Sequence, residues 1–215
     1  MAQKRITVEE AVAKIHSGMT IMFGGFLANG SANKILAALA KTDVKDLTLI
    51  CNDSAFDAVG VGPLFEKKQI KKVIATWVGG NSWHQEQMNN KTTETELVPQ
   101  GTLAERIRCG GFGLGGVLTP VGLGTIVAEG KQIINVDGKD YLLEKPLRAD
   151  LALIGASLGD ESGNLVYKGT SQNFNPLMAA AADLVIAEVD EVVPVGSIPP
   201  ENVRTPNILV DYLVY

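Results

Sequence analysis

Residues 21–31 read Ile21-Met22-Phe23-Gly24-Gly25-Phe26-Leu27-Ala28-Asn29-Gly30-Ser31. An apolar run, Thr20 to Phe23, has the character of a short strand. It ends in Gly24-Gly25. Gly30 follows, and then Ser31 in a position to cap a helix. From Ser31 to Lys41 the apolar residues Ile35, Leu36, Leu39 and Ala40 fall on one helical stripe. Strand, glycine turn and helix in this order begin a βα unit. Glycine lets a backbone approach a ligand closely, and a helix N-terminus offers N–H groups and partial positive charge to a phosphate or carboxylate. The same residues also suit an ordinary βα turn.

The pattern repeats on either side. Val8 to His16 reads as a helix, with Thr7 as N-cap and Glu10 at the capping-box spacing. Leu47 to Cys51, Val73 to Trp77 and Glu96 to Val98 read as strands. Ser82 to Asn90 and Thr102 to Arg108 read as helices. Runs such as LTLIC and KVIATWV lack clean alternation, as strands buried on both faces do. This rhythm implies an α/β fold: an open, mostly parallel sheet with helices on both faces.

The texture changes at about residues 110–148. A glycine-rich segment leads into KQIINVDGKDYLLE, where Asp137-Gly138 between apolar runs signals a hairpin. We read this stretch as a β-rich insertion in one domain spanning 1–215. Beyond it, Asp150 to Ser157 is a strand, Gly163-Asn164 a turn, Asn175 to Ala182 a helix with Pro176 in its first turn, and Leu184 to Glu188 a strand.

Composition narrows the function. Of 215 residues, 46% are hydrophobic and 20% charged, enough for a substantial core. A net charge of −5 and the lack of a basic helix argue against nucleic-acid binding. No apolar run approaches the roughly 18 residues of a membrane span, and MAQKRITVEE has no signal-peptide core. Cys51 and Cys109 have no CxxC partner, and His16 and His84 stand alone. The expectation is a cytoplasmic protein with no metal site and no membrane association.

Two familiar motifs fail on inspection. Gly25 and Gly30 have Walker A spacing, but Ser31-Ala32 replace the lysine and hydroxyl residue that hold phosphate and Mg²⁺. Gly111 to Gly116 spells GxGxxG, yet it follows a helix rather than a strand, and Pro120 blocks a helix after it. It reads either as a mobile loop or as backbone that comes close to a ligand or partner. Cys109 adjoins Arg108 but has no nearby histidine, which favours an inert thiol. In NDSAFD, Asn52, Asp53 and Asp57 follow a strand end, where open α/β sheets bind ligands, although an Asx turn explains them equally well.

Taken together, these segments resemble the α subunits of family I coenzyme A transferases. GMTIMFGGFLANGSA is similar to their first signature, GGF followed after three residues by Gly-x-Pro. LTLICNDSAFDAVGVGPL, IKKVIATWVGGN, ELVPQGTLAERIRCGGFGLGGVLTPVGLGT, LLEKPLRADLALI, GNLVY and NFNPLMAAAADLVIAEVDE resemble further α-subunit segments in the same order. The NDSAFD and CGG variants look most like the acetate, butyrate and acetoacetate enzymes.

The resemblance implies CoA transfer between a short-chain acyl-CoA and a free carboxylate, through a glutamyl-CoA thioester. CoA is then a substrate, with no tightly bound cofactor. The glutamate belongs to a Ser-Glu-Asn-Gly motif of the β subunit. This chain lacks it; its one Glu-Asn, Glu201-Asn202, has other flanks. The expectation is an α₂β₂-type assembly, inactive without β. By resemblance, Gly24, Gly25, Phe26, Leu27, Ala28, Asn29 and Gly30 bind CoA, and Gln100 matches a family glutamine near the substrate acyl group; Asn52, at a strand end, is expected to do similar work in binding the substrate. Ala32 stands where the family has proline. Two alternatives remain at this level: a ligand sensor without catalysis, and a sugar-phosphate isomerase on a related fold.

Overall fold

The computed structural model describes residues 4–215. The first half comprises α1 (Val8–Val12), β1 (Thr20–Phe23), α2 (Asn33–Leu39), β2 (Leu47–Cys51), α3 (Gly62–Glu66), β3 (Ile70–Ala75), α4 (Ser82–Asn89), β4 (Glu94–Leu97) and α5 (Gln100–Gly111). Then come β5 (Val117–Thr119), β6 (Ile133–Val136), β7 (Lys139–Glu144), β8 (Ala149–Asp160), β9 (Leu165–Val166), α6 (Asn175–Ala180), β10 (Ala182–Val193) and β11 (Tyr212–Val214).

The main sheet runs β11-β10-β8-β1-β2-β3-β4, with every neighbouring pair parallel. Only β9 is antiparallel, folded back on β8. The strand path starts at β1, steps outward to β4, and returns to the other side of β1 with β8. The order therefore reverses between β1 and β8, and such a point leaves a crevice outside the carboxyl ends of the strands.

Both faces of the sheet are covered, and the strands' two-residue period distributes the side chains. Ile21, Phe23, Leu49, Cys51, Val73 and Ala75 point into one core, with Ile35 and Leu36 of α2 and Leu64 and Phe65 of α3. Met22, Ile50 and Ile74 point into the other, with Leu103 and Ile107 of α5 and Met178 of α6. Apolar residues at both phases explain why LTLIC and its like show no alternation.

The β-rich segment forms a separate three-stranded antiparallel sheet, β5-β7-β6. Asp137 and Gly138 both have positive φ (51° and 78°), the conformation that a two-residue type I′ hairpin demands. Arg106 of α5 bonds Glu96 of β4 at 2.6 Å and lies 3.8 Å from Glu144 of β7, so an ion-pair cluster joins the two sheets.

Several boundaries differ from the sequence reading. The Thr7–Glu10 capping box is present, but α1 ends at Val12. Helix α5 begins at Gln100 and runs into the glycines to Gly111, so the change of texture at residue 110 is not the end of a helix. Helix α3 was not anticipated, although Pro63 in its first turn is a start signal.

His84 is completely buried, stacked on Phe65 at 4.4 Å, and its Nε2 lies 3.0 Å from Thr95 Oγ1. Burial lowers its pKa to about 4. The native state therefore holds the neutral ring, while the unfolded chain binds a proton near pH 6.5. Its contribution is present above pH 6.5 and is lost as pH falls towards 4, about 3 kcal/mol in all. Urea titrations at pH 7.5 and 4.5 should show that difference in the native protein and not in His84→Gln.

Candidate active site

Four successive parallel strands deliver residues to one cleft at their carboxyl ends. Phe26 and Leu27 follow β1, Asn52 and Asp53 follow β2, Thr76 and Trp77 follow β3, and Gln100 follows β4. The cleft has a volume of about 340 Å³, at the small end of ligand pockets. Its aromatic walls are open, with Phe26 39% and Trp77 44% exposed.

The stretch from Gly24 to Gly30 is a miniature hairpin. Phe26 and Asn29 exchange backbone hydrogen bonds, both 2.9 Å. Leu27 and Ala28 form the turn, with φ of 49° and 68°. Two successive non-glycine residues in the left-handed region are strained, and such strain persists only where the surroundings enforce it. Here the Leu27 N–H donates to both oxygens of Asp53 at 3.2 Å, and Asn33 Nδ2 donates to the Ala28 carbonyl at 3.1 Å.

The amides meet on the floor. Gln100 Nε2 donates to Asn52 Oδ1 at 2.8 Å, and Asn52 Nδ2 donates to Asp53 Oδ2 at 2.8 Å. Asp53 Oδ1 also accepts from the Ala55 N–H at 2.9 Å, the bond of an Asx turn. Asp57 lies apart from this group. It receives the Ser82 N–H and hydroxyl, both at 2.6 Å, which holds its carboxyl below the usual range.

Two expectations about the first loop are corrected. Ser31 does not cap the helix. Its hydroxyl donates to the Gly24 carbonyl at 2.7 Å, and Ala32 is the N-cap without a side-chain bond. Nor are the helix N–H groups free for a phosphate. Glu188, from β10, accepts the N–H groups of Lys34 and Ile35 at 2.9–3.1 Å. Burial raises the Glu188 pKa, and these donors act against the rise. The protein thus supplies its own carboxylate to α2. Ala32 has a φ of −78°, which a proline ring would also adopt, so its replacement of proline leaves the backbone path intact.

Asn175 is the other residue that the sequence reading passed over. It is fully buried, and its Nδ2 lies within hydrogen-bond distance of the carbonyls of Gly30 (2.9 Å), Gly155 (3.2 Å) and Ser171 (2.8 Å). Its oxygen sits against Gly24, where a Cβ would overlap it. This is why Gly24 has no side chain. The predicted loop residues therefore divide. Phe26 and Leu27 face the cleft with Asn52 and Gln100, whereas Ala28 lines a neighbouring hollow with Asn33 and Gly60. Gly24 and Gly25 are buried beneath the turn, Gly30 lies against the Ser171 backbone, and Asn29 is exposed.

The second glycine cluster is in part a packing device. A Cβ at Gly110 would overlap the Leu147 carbonyl, and one at Gly111 would press on Ala180 of α6. Cys109 is buried, and Arg108 pairs with Glu105 at 2.7 Å instead. Cys51 is buried too, and burial, with Asp53 beside it, pushes its thiol pKa up. Neither cysteine is a nucleophile of this cleft.

The family model for coenzyme A transferase matches residues 5–215. The chain belongs to the coenzyme A transferase family. It is 48% identical over 214 residues to the acetate CoA-transferase subunit alpha of Escherichia coli K12, covering 100% of this chain and 97% of that one. It is 47% identical to the acetoacetyl-CoA:acetate/butyrate CoA transferase alpha subunit of Clostridium acetobutylicum, covering 100% and 98%. Among solved structures, an acyl-CoA transferase from E. coli O157:H7, described as a thioester complex with CoA, superposes with a TM-score of 0.85. It is 22% identical, and the match covers 99% of this chain and 47% of that one. Its fold is the same, and this coenzyme A transferase chain spans about half its length. Neither a sensor nor an isomerase is favoured by these relatives. No helix among the described residues is long and apolar enough to cross a membrane.

Proposed function

We propose that this chain is the α subunit of a two-chain enzyme that moves CoA between a short-chain acyl-CoA and a free carboxylate, with acetate, butyrate and acetoacetate as the acid class. The observation that carries this reading is the state of the cleft's carboxylate. Among the described residues lining it, only Asp53 is acidic. Its oxygens are taken by Leu27, Ala55 and Asn52. A carboxylate so engaged, and 6% exposed, is poorly placed to attack a thioester. The nucleophile therefore comes from a β chain closing the open side of the cleft, and its glutamate carries CoA as a glutamyl thioester.

This chain's contribution is recognition and charge stabilisation. The Gly24–Gly30 turn presents backbone to the CoA end of the substrate. Asn52 and Gln100 each retain an amide N–H beyond those engaged with one another and with Asp53. Those donors suit a carboxylate oxygen or the oxyanion of a tetrahedral intermediate. An α₂β₂ assembly in the cytoplasm is the setting in which the reaction runs.

The test is reconstitution. CoA transfer from acetyl-CoA to butyrate or acetoacetate should be absent with this chain alone and appear when its cognate β chain is added. In the reconstituted enzyme, Gln100→Ala should lower kcat/KM about tenfold, the loss of one contact of about 1.4 kcal/mol. Unchanged kinetics in that variant would assign Gln100 to structure alone.

A further inference from the structure

We propose that Asp53 is a positioning residue for CoA transfer: it fixes the polarity of the Asn52 and Gln100 amides and ties both to the strained Leu27–Ala28 turn. The inference rests on the reading of the cleft as the acyl-transfer site, and goes beyond it by assigning a role to a carboxylate whose oxygens are engaged by the protein's own donors.

An amide has a donor end and an acceptor end, and a flip exchanges them. A carboxylate only accepts. Asn52 Nδ2 lies 2.8 Å from Asp53 Oδ2, so the NH₂ end of Asn52 must face the carboxylate. Its oxygen then faces the other way, 2.8 Å from Gln100 Nε2, so Gln100 must present its NH₂ end in turn. One acceptor-only group thereby sets both amides in a single orientation. Asn52 is 1% and Asp53 6% exposed, so water does not substitute freely between these two, while Gln100 forms the exposed end of the chain of bonds.

The backbone of Asn52 is held independently. Its carbonyl accepts from the Thr76 N–H at 2.9 Å and the Thr76 hydroxyl at 2.7 Å. The residue is thus anchored while its side chain remains free to flip. Asp53 supplies the missing constraint. It also binds the Leu27 N–H through both oxygens, at the first residue of the strained turn. The turn and the amide pair are therefore fixed against one carboxylate, and the spacing between the turn backbone and the amide donors is set at one point. Asp53 joins three of the strand ends that form the cleft: directly those of β1 and β2, and through Asn52 that of β4.

The decisive variant is Asp53→Asn, which preserves size and allows both amides to invert. In the reconstituted enzyme, kcat should fall at least tenfold, while KM for the acyl-CoA stays within about threefold. Thermal stability and assembly with the β chain should change little. A double-mutant cycle supplies the readout that a purely structural role would not move. With Gln100 already replaced by alanine, Asp53→Asn should cost clearly less than in the unmodified enzyme, because one of the two amides it orients is gone. Asp53→Glu, which keeps an acceptor-only group, should retain more kcat than Asp53→Asn. The proposal is overturned if Asp53→Asn retains kcat within twofold, if its loss multiplies with that of Gln100→Ala, or if Asp53→Glu is the worse variant. Failure of both Asp53 variants to assemble would also overturn it, because Asp53 would then serve the fold. An inactive unmodified pair would instead reject the transferase reading itself, so the two failures are distinguishable.

Discussion

Gly24→Ala should reduce kcat/KM of the reconstituted enzyme by about a hundredfold or more and cost about 3 kcal/mol of stability. The added Cβ falls on the Asn175 side-chain oxygen, in a region where both residues are buried. Something must move. If Asn175 moves, the carbonyls of Gly30, Gly155 and Ser171 lose a shared donor, and each unsatisfied buried group costs about 1–3 kcal/mol. If Gly24 moves, it takes the strained turn with it, and a shift of about 1 Å in a positioning element can cost a hundredfold in rate. The two effects share one cause, so they are coupled. In an Asn175→Ala background, Gly24→Ala should add less than about 1 kcal/mol, measured by urea denaturation. Additive losses would show that the overlap at Gly24 is not what limits the loop.

Glu188→Ala should destabilise the chain by about 3 kcal/mol, which for a chain of this size lowers Tm by roughly 6–12 °C. The substitution leaves the N–H groups of Lys34 and Ile35 without their acceptor and removes a negative charge from the N-terminus of α2. It also disconnects β10 from the helix that follows the cleft loop. The pH dependence has a definite sign. The raised pKa means that the native state holds this proton more tightly than the unfolded chain does. Its contribution is full below the unfolded pKa and declines as pH rises through the native value. Glu188→Gln, which does not titrate, should lack that decline. A Tm within 2 °C of the native value in Glu188→Ala would show that water replaces the carboxylate at α2.

The main sheet was legible because each strand is a compact apolar run and each crossover helix carries its own stripe. The hairpin at Asp137-Gly138 was legible because its turn chemistry is local. The cleft was legible only as separate pieces. Asn52 and Gln100 lie 48 positions apart, and local pattern does not reveal that they share a hydrogen bond. Family resemblance named Gln100 and a strand-end position named Asn52, and the parallel register of β2, β3 and β4 explains their meeting.

Glu188 and Asn175 were missed for the same reason. Each works on the loop region from about 150 residues away in sequence. Glu188 does leave a trace: a carboxylate at the end of LVIAE, a run otherwise buried, needs a partner. The helix start at Gln100 also had a signal, since Pro99 favours an N-terminus. The GxGxxG spelling carried little, because Gly110 and Gly111 serve helix packing rather than a phosphate. The Ser31 reading failed because the helix starts at Asn33 with Ala32 as its N-cap, which leaves Ser31 one residue too early, with its hydroxyl donating to the Gly24 carbonyl.

The proposed function requires this chain to supply the amide-lined half of the site and another chain to supply the attacking carboxylate. The most direct measurement is to mix this chain with its cognate β chain and acyl-CoA, trap the covalent thioester with hydroxylamine, and locate the adduct by mass spectrometry. The adduct should lie on a glutamate of the β chain, with every carboxylate of this chain unmodified and no turnover by this chain alone. An adduct on Asp53 or on any other carboxylate of this chain would contradict the account.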